Sequence, residues 1–410
     1  MEKFVIRGPC KVKGVVSVSG SKNAALPILA STLLFNKTVE IKNLPKVKDI
    51  ETMINLLRSL GSKISFSQNK RIVKIKNYKI KNFFASYSHV KTMRAGILVL
   101  GPLISRYGLA TVSMPGGCQI GVRPINYHLS GLRKLKMNYK IKKGYVHANA
   151  KKIIGSIIKF PKISVGATEN LIMAATLANG KTVLKNCAIE PEIKDLVNFL
   201  KSAGAKIKWI GKRTLEIYGV KSLDSTSYSV MGDRIEAGTF CIASALTQGN
   251  LEVCGLKPEI INTEINLLKK IGAEIKTKKN KIIVKGSKKI KNLKLLTTKE
   301  YPGFSTDLQA QFMVLLCKAK GRSIIKENIF ENRYLHCAEL RRLGANIIVR
   351  NKKAIILGGA NFEGAELMSS DLRASVALVL AAIAAKGKSI IHRIYHLSRG
   401  YENLDKKLKK

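Results

Sequence analysis

Leu57-Arg58-Ser59-Leu60-Gly61-Ser62-Lys63-Ile64 recurs along the chain with small changes, and that recurrence decides the fold. It returns as Leu200-Lys201-Ser202-Ala203-Gly204-Ala205-Lys206-Ile207, as Leu268-Lys269-Lys270-Ile271-Gly272-Ala273-Glu274-Ile275, and as Leu340-Arg341-Arg342-Leu343-Gly344-Ala345-Asn346-Ile347. A degenerate copy, Leu132-Arg133-Lys134-Leu135-Lys136, fills the gap between the first two, and Leu404 to Lys410 begins a sixth. Gly204, Gly272 and Gly344 stand 68 and 72 residues apart, so the period is about 70 residues, the signature of an internally repeated architecture.

A second phrase keeps step with the first. A small turn leads into a β-branched strand at Lys37 to Ile41, Leu109 to Val112, Lys181 to Leu184, Asn250 to Val253, Arg322 to Ile325 and Lys388 to Ile391. Before each strand lies a strongly apolar segment, beginning near Lys22, Lys91, Ala167, Ile235, Asp307 and Asp371, too hydrophobic around its circumference for a surface helix. Each repeat therefore predicts one buried helix, one amphipathic helix ending at glycine, and several strands. Six such units divide most simply into two α/β domains of three. One spans residues 22–230 and the other 231–410, each a core of buried helices wrapped by sheets, with the chemistry expected in the cleft between them.

The composition narrows the function. Of 410 residues, 46% are hydrophobic, ample for two cores. Lys and Arg number 73 against 26 Asp and Glu, a net charge of +47 that raises nucleic acid or anionic membrane as partners. Positive charge, however, is spread along the whole chain, aromatic residues make up only 6%, and no recognition motif for nucleic acid is present, so no specific nucleic-acid partner is expected. Seven scattered cysteines, at 10, 118, 187, 241, 254, 317 and 337, show no zinc or redox spacing and suit free thiols in a reducing compartment. Met1 to Pro9 lacks the pattern of a secretion signal, and the longest apolar run, Ala374 to Ala385, falls short of the ~20 residues that cross a bilayer. A cytoplasmic protein without membrane attachment is the expectation.

The candidate chemistry gathers on one loop and on the starts of the buried helices. Pro115-Gly116-Gly117-Cys118-Gln119-Ile120-Gly121-Val122-Arg123-Pro124 cannot run as regular helix or strand, so its thiol is carried on a turn-rich loop with a cation five residues on. Lys22 and Asn23, Lys91 and Arg94, Arg234, Asp307, Asp371 and Arg373 mark helix starts. Singly such residues read as ordinary caps, but their recurrence at corresponding places in the repeats points to convergence on one anionic ligand. The cations Lys22, Arg94, Arg123, Arg333, Arg373 and Arg399 suit a substrate bearing phosphate and carboxylate, while the carboxyl of Asp307 and the thiol of Cys118 suit proton transfer. No spacing of metal ligands appears, and neither metal nor cofactor is expected.

With these phrases in hand, the chain resembles the enolpyruvyl transferases of the UDP-N-acetylglucosamine 1-carboxyvinyltransferase family. The matching stretches run from Gly20-Ser21-Lys22-Asn23-Ala24-Ala25-Leu26-Pro27 through Lys91-Thr92-Met93-Arg94-Ala95, the Cys118 loop, Ser164 to Thr168, Asp233 to Glu236, Thr306 to Phe312, Phe330 to Arg333, Ser370 to Ser375 and Ser398 to Glu402, covering essentially the whole chain. The resemblance implies two inside-out α/β barrel domains, with residues 1–21 completing the second beside 231–410, and the opening reaction of peptidoglycan synthesis, transfer of enolpyruvyl from phosphoenolpyruvate to the 3-hydroxyl of UDP-N-acetylglucosamine, by a cytoplasmic and monomeric enzyme. By resemblance Cys118 is the general acid and forms a covalent adduct with the pyruvyl unit, and Asp307 takes the hydroxyl proton, with Lys22 and Arg399 also counted as catalytic. Lys22, Asn23, Arg123 and Arg399 would hold phosphoenolpyruvate, with Arg333 and Arg373 assisting. Arg94, Arg123, Pro124, Ile125, Asn126, Tyr127, Lys162, Ile163, Ser164, Val165, Asp307 and Ile329 would contact the UDP-sugar.

The chain departs from the family pattern at Asn126 and Tyr127, where Arg-Pro-x-Asp is usual, at Ser305, where a Pro is expected, and in its sixth repeat, which stops before the closing Leu-Gly-Ala and strand. These departures lead us to expect altered nucleotide contacts, a looser turn under Asp307 and a less stable second half. Two alternatives stay open: transfer of enolpyruvyl to shikimate 3-phosphate, and a catalytically retired basic protein that binds RNA or serves as a scaffold.

Overall fold

The computed structural model describes residues 2–67, 71–78, 80–116, 121 and 124–409, so Cys118 and Arg123 lie outside the described residues. Five of the apolar segments form helices at Lys22–Ser31, Val165–Thr176, Arg234–Leu246, Gln309–Lys318 and Leu372–Ala384. They are buried nearly all round: in Leu372–Ala384 every side chain from Arg373 to Ile383 is enclosed, as apolar residues on all faces require. The second repeat differs from the expectation of a helix from Lys91. Its segment breaks into a short helix at Tyr87–Val90, a 3-10 stretch at Arg94–Val99 and the helix Leu100–Tyr107. Pro102 has no N–H for the carbonyl of Leu98, so no helical bond joins the 3-10 stretch to the following helix at that point.

Around these helices each repeat contributes an antiparallel set of three strands and one short strand that it gives away. In the first repeat Val39–Lys42 pairs with Val73–Lys76, which pairs with Lys63–Phe66. Its short strand Phe84–Ala85 runs parallel to Leu109–Ser113 of the second repeat. The second repeat's Ile157–Lys159 joins Lys181–Lys185 of the third, and the third's Thr226–Ser229 returns to Val39–Lys42. The exchange thus closes a ring of three. Fourth, fifth and sixth repeats do the same, except that the chain's N-terminus supplies two of the strands. Lys13–Ser17 runs parallel to Asn250–Cys254, and Lys3–Gly8 pairs antiparallel with Gly387–His392. In that sixth sheet Lys3–Gly8 holds the position that the third strand of a repeat holds in the other five.

Strand burial alternates, as in the exposed-buried pattern of Lys281–Lys285, so each sheet turns one face to a core and the other to solvent. Two compact units result, one lying within residues 20–231 and the other formed by residues 232–409 with residues 2–19 and Gly121. Each has its own apolar core, the first built around Ile28, Leu29, Phe35 and Phe199, the second around Phe240, Phe312, Leu315 and Leu378. Each fully enclosed Leu, Ile or Phe contributes roughly 1.5–3 kcal/mol through removal of its surface from water.

The quoted phrase ends its helix the same way in every full copy. Gly61, Gly204, Gly272 and Gly344 take φ between 94° and 114°, and their N–H and the next close back onto the last turn, as Gly61 N to Arg58 O (2.9 Å) and Ser62 N to Leu57 O (3.0 Å) show. The degenerate copy makes the same bonds, Lys136 N to Arg133 O (3.0 Å) and Met137 N to Leu132 O (3.2 Å), with a lysine at φ 73°. A Cβ in this left-handed conformation is strained. Lys136→Gly should therefore raise the stability of the protein by about 0.5–1 kcal/mol, read as a higher urea midpoint; a lower midpoint would contradict the assignment.

Candidate active site

Asp307 sits in the single turn Thr306–Leu308 that precedes the buried helix Gln309–Lys318. Ser305, standing where a proline was expected, caps this turn: its hydroxyl accepts from the N–H of Asp307 at 3.3 Å. The carboxylate of Asp307 is clamped by two guanidinium groups, Oδ1 by Arg333 Nη2 at 2.7 Å and Oδ2 by Arg373 Nη2 at 2.8 Å. Both arginine side chains are almost enclosed, 5% and 8% exposed, whereas the Asp307 side chain remains 25% exposed. A carboxylate offers about four acceptor positions, and the two guanidinium bonds, one to each oxygen, fix the plane of the group.

Arg373 arrives on the first turn of Leu372–Ala384, whose N-cap Asp371 accepts from Arg373 N and Ala374 N at 2.9 and 3.0 Å. Burial works against the charge of Arg373, but Asp307 and then Tyr401 and Asp233 outweigh it, and the guanidinium is held above its ordinary range. Behind it Tyr401 Oη meets Arg373 Nη1 at 3.4 Å and Thr239 Oγ1 at 2.8 Å, while Gln311 Nε2 donates to the Asp307 carbonyl at 3.1 Å. Arg399 closes the 3-10 helix Ile394–Arg399, which packs on Leu372–Ala384. His336, three residues beyond Arg333, is fully enclosed; burial pushes its pKa down to about 4, so it is neutral near pH 7.

The other unit holds the second group of candidates. Lys22 opens the helix Lys22–Ser31, capped by Ser21, and its ammonium meets Asp49 Oδ2 at 2.9 Å with both side chains nearly buried. Asn23 follows, half-buried, and Pro27 has no N–H to offer the Asn23 carbonyl. Arg94 Nη2 donates to the carbonyl of Pro124 at 3.4 Å, joining two of the stretches expected to contact the UDP-sugar. Ile125 is buried, Tyr127 half-buried and Asn126 exposed at the start of the helix Asn126–Lys134. Ser164 is spent as the N-cap of Val165–Thr176, with Lys162 and Val165 exposed and Ile163 half-buried beside it. Lys91 is exposed and lies over the ring of Tyr87, and Arg234 lies over that of Tyr301.

Four participants escaped the sequence reading. Tyr401 and Gln311 stood in quoted motifs but were given no part, and Glu327 was not singled out. Asp49 carried a signal: with Met53 and Leu56 it falls on the apolar stripe of the helix Lys48–Ser59, a place where an acid needs a partner. Among the described cysteines, burial pushes Cys187, Cys241, Cys317 and Cys337 up to about 12, which leaves them protonated and inert. No group of three or more His, Cys, Asp or Glu among the described residues could hold a metal ion, and no described helix is long and apolar enough to cross a membrane.

Two rings of three βαβ-type repeats carrying carboxylate, arginines and lysine at the starts of buried helices define a class. The chain belongs to the EPSP synthase (3-phosphoshikimate 1-carboxyvinyltransferase) family, whose pattern matches residues 6–408. Within it, the chain is 64% identical to the UDP-N-acetylglucosamine 1-carboxyvinyltransferase of Pelagibacter ubique (strain HTCC1062), over 100% of this chain and 98% of that one. It is 49% identical to the enzyme of the same name from Geotalea uraniireducens (strain Rf4), over 100% and 97%. Among solved structures, the enolpyruvyl transferase NikO from Streptomyces tendae superposes with a TM-score of 0.90 at 22% identity, covering 99% of this chain and 96% of that one. EPSP synthase from Acinetobacter baumannii gives 0.75 at 17%, covering 97% and 95%. These two likenesses concern the fold.

Proposed function

We propose that this protein transfers the enolpyruvyl group of phosphoenolpyruvate to the 3-hydroxyl of UDP-N-acetylglucosamine and releases inorganic phosphate, the first committed step of peptidoglycan synthesis. The observation that carries the reading is the Asp307 carboxylate held by Arg333 and Arg373, which pairs a proton acceptor with two cations suited to a phosphate or carboxylate. The UDP-sugar name of the relatives favours this acceptor over shikimate 3-phosphate.

In this reading the sugar oxygen attacks C2 of phosphoenolpyruvate while Asp307 takes its proton and Cys118 protonates C3. The tetrahedral adduct then loses a C3 proton and phosphate to give the enolpyruvyl ether. Lys22, Asn23, Arg123 and Arg399 hold the anionic groups. Arg333 and Arg373 serve twice, first keeping Asp307 in place and then turning part of their donor set to the substrate anion, which frees a carboxylate oxygen for the hydroxyl. Preorganised cations of this kind are worth roughly 3 kcal/mol of barrier each when aimed at developing charge. The UDP-sugar contacts fall to Arg94, Arg123 to Tyr127, Lys162 to Val165 and Ile329. The remaining parts of the proposal are a cytoplasmic monomer, no cofactor and no specific nucleic-acid partner.

The test is phosphate release from phosphoenolpyruvate, with UDP-N-acetylglucosamine and shikimate 3-phosphate offered in parallel. Release that requires the UDP-sugar is the expected result. Release with shikimate 3-phosphate alone would move the assignment to the sister reaction, and silence with both in folded protein would favour a retired enzyme.

A further inference from the structure

The six repeats place one residue at the same point, three positions after the outward-facing centre of the first strand: Asn43, Met114, Asn186, Gly255, Glu327 and Arg393. Four of these take left-handed backbone, at φ 55°, 61°, 98° and 57° for Asn43, Asn186, Gly255 and Arg393. Asn43 and Asn186 also use their amides alike, donating to Val230 O and Phe160 O at 2.9 Å and so tying off the end of the strand received from a neighbouring repeat. Met114 and Glu327 leave the pattern. The residue after Met114 begins the Cys118 loop, and Glu327 belongs to the repeat that carries Asp307. A local rule broken in only some copies of a repeat points to a role that the repeat itself does not require.

Glu327 is 1% exposed, and an enclosed carboxylate needs several donors. It has four. Oε1 accepts from the Thr298 hydroxyl at 2.8 Å and from the N–H groups of Ile329 and Phe330 at 2.8 and 3.2 Å. Oε2 accepts from the Thr306 hydroxyl at 3.0 Å. Thr298 Oγ1 in turn accepts from Asn328 N at 2.9 Å. Thr306 is the neighbour of Asp307, and its carbonyl accepts from Arg333 Nη2 at 3.3 Å. One carboxylate thus fastens the turn that presents Asp307 to the loop, residues 328–330, that leads into Arg333 and carries Ile329.

We infer that Glu327 is a positioning residue for the reaction: through Thr306 and the 328–330 backbone it sets Asp307 and Arg333 at their mutual distance. The inference rests on Asp307 acting as the proton acceptor. It explains why this repeat exchanges a left-handed Asn or Gly for an acid, since an Asn amide would meet the same four donors with an NH2 group on one side.

The test is steady-state phosphate release by Glu327→Gln, Thr306→Val and Thr306→Ser, with Asp307→Asn alone and combined with Glu327→Gln, each rate referred to folded protein. Glu327→Gln and Thr306→Val are expected to lower kcat tenfold to a hundredfold with KM for UDP-N-acetylglucosamine within about threefold, while Thr306→Ser, which keeps the hydroxyl, stays within about threefold of the parent. In the Asp307→Asn background Glu327→Gln should add less than threefold, because the group it positions is gone. Rates within twofold of the parent for Glu327→Gln and Thr306→Val would overturn the inference, as would losses that multiply in the Asp307→Asn background. Near-parental turnover by Asp307→Asn itself would overturn the base assignment and this inference with it, whereas an inactive Asp307→Asn with multiplying losses would overturn this inference alone.

Discussion

Asp307→Asn lowers kcat about a thousandfold while KM for phosphoenolpyruvate stays level or falls. The size follows from the chemistry, since a positioned general base contributes 10²- to 10⁴-fold. The direction of KM follows from the geometry. Asp307 occupies Arg333 and Arg373 at 2.7 and 2.8 Å, and the neutral amide releases both guanidinium groups to an anionic substrate. The substitution also leaves two nearly enclosed cations without their carboxylate, and breaking a buried pair in this way destabilises by roughly 3–5 kcal/mol. Urea titration must therefore accompany the kinetics, with rates taken where the variant is folded. A fall in kcat matched by an equal rise in KM would make Asp307 a binding group instead of the base.

Cys118→Ala is expected to reduce turnover near neutral pH below about a thousandth of the parent, because the methyl group cannot protonate C3 and a lost general acid is worth up to 10⁴-fold. No other described cysteine is suited to substitute for it. Four are enclosed and pushed up to about 12, Cys254 is also raised, by burial first and then by Glu252, and Cys10 is exposed with its thiol turned to the carbonyl of Arg7 at 3.0 Å. Phosphate release, followed alongside mass spectrometry of protein incubated with phosphoenolpyruvate, reads both proposed roles at once. The parent should gain the mass of phosphoenolpyruvate, whose C2 bonds the Cys118 sulfur as C3 takes the proton and the phosphate stays in place, and the variant should not. Parental turnover by the variant would remove Cys118 from the acid role whatever the mass spectrum shows.

Much of this architecture could be read from residue order. The eight-residue phrase ending in Gly located the amphipathic helices, because glycine enters left-handed backbone without strain, and Lys136 at φ 73° shows that the degenerate copy obeys the same geometry. Unbroken apolar runs marked the buried helices, with one failure at Lys91, where a short helix and a 3-10 stretch precede Leu100–Tyr107 and periodicity does not register the change. Residue types at 22, 307, 333 and 373 were recognised, yet their partners were not. Asp49 lies 27 residues from Lys22, and Arg373 lies 66 from Asp307. Glu327 and Tyr401 were invisible for the same reason: their meaning lies in four and three specific contacts respectively, not in any spacing.

The sequence by itself determined that there are six repeats, where their helices and first strands fall except in the segment from Lys91, and which side chains carry reactive groups, because period, propensity and capping act within a dozen residues. Tertiary structure decided how the repeats exchange strands, that Lys3–Gly8 enters the sheet of Gly387–His392 at the far end of the chain, and that Arg333 and Arg373 meet on one carboxylate. Those outcomes depend on satisfying every buried strand edge and charge at once, a condition that binds residues hundreds of positions apart and that no local window contains.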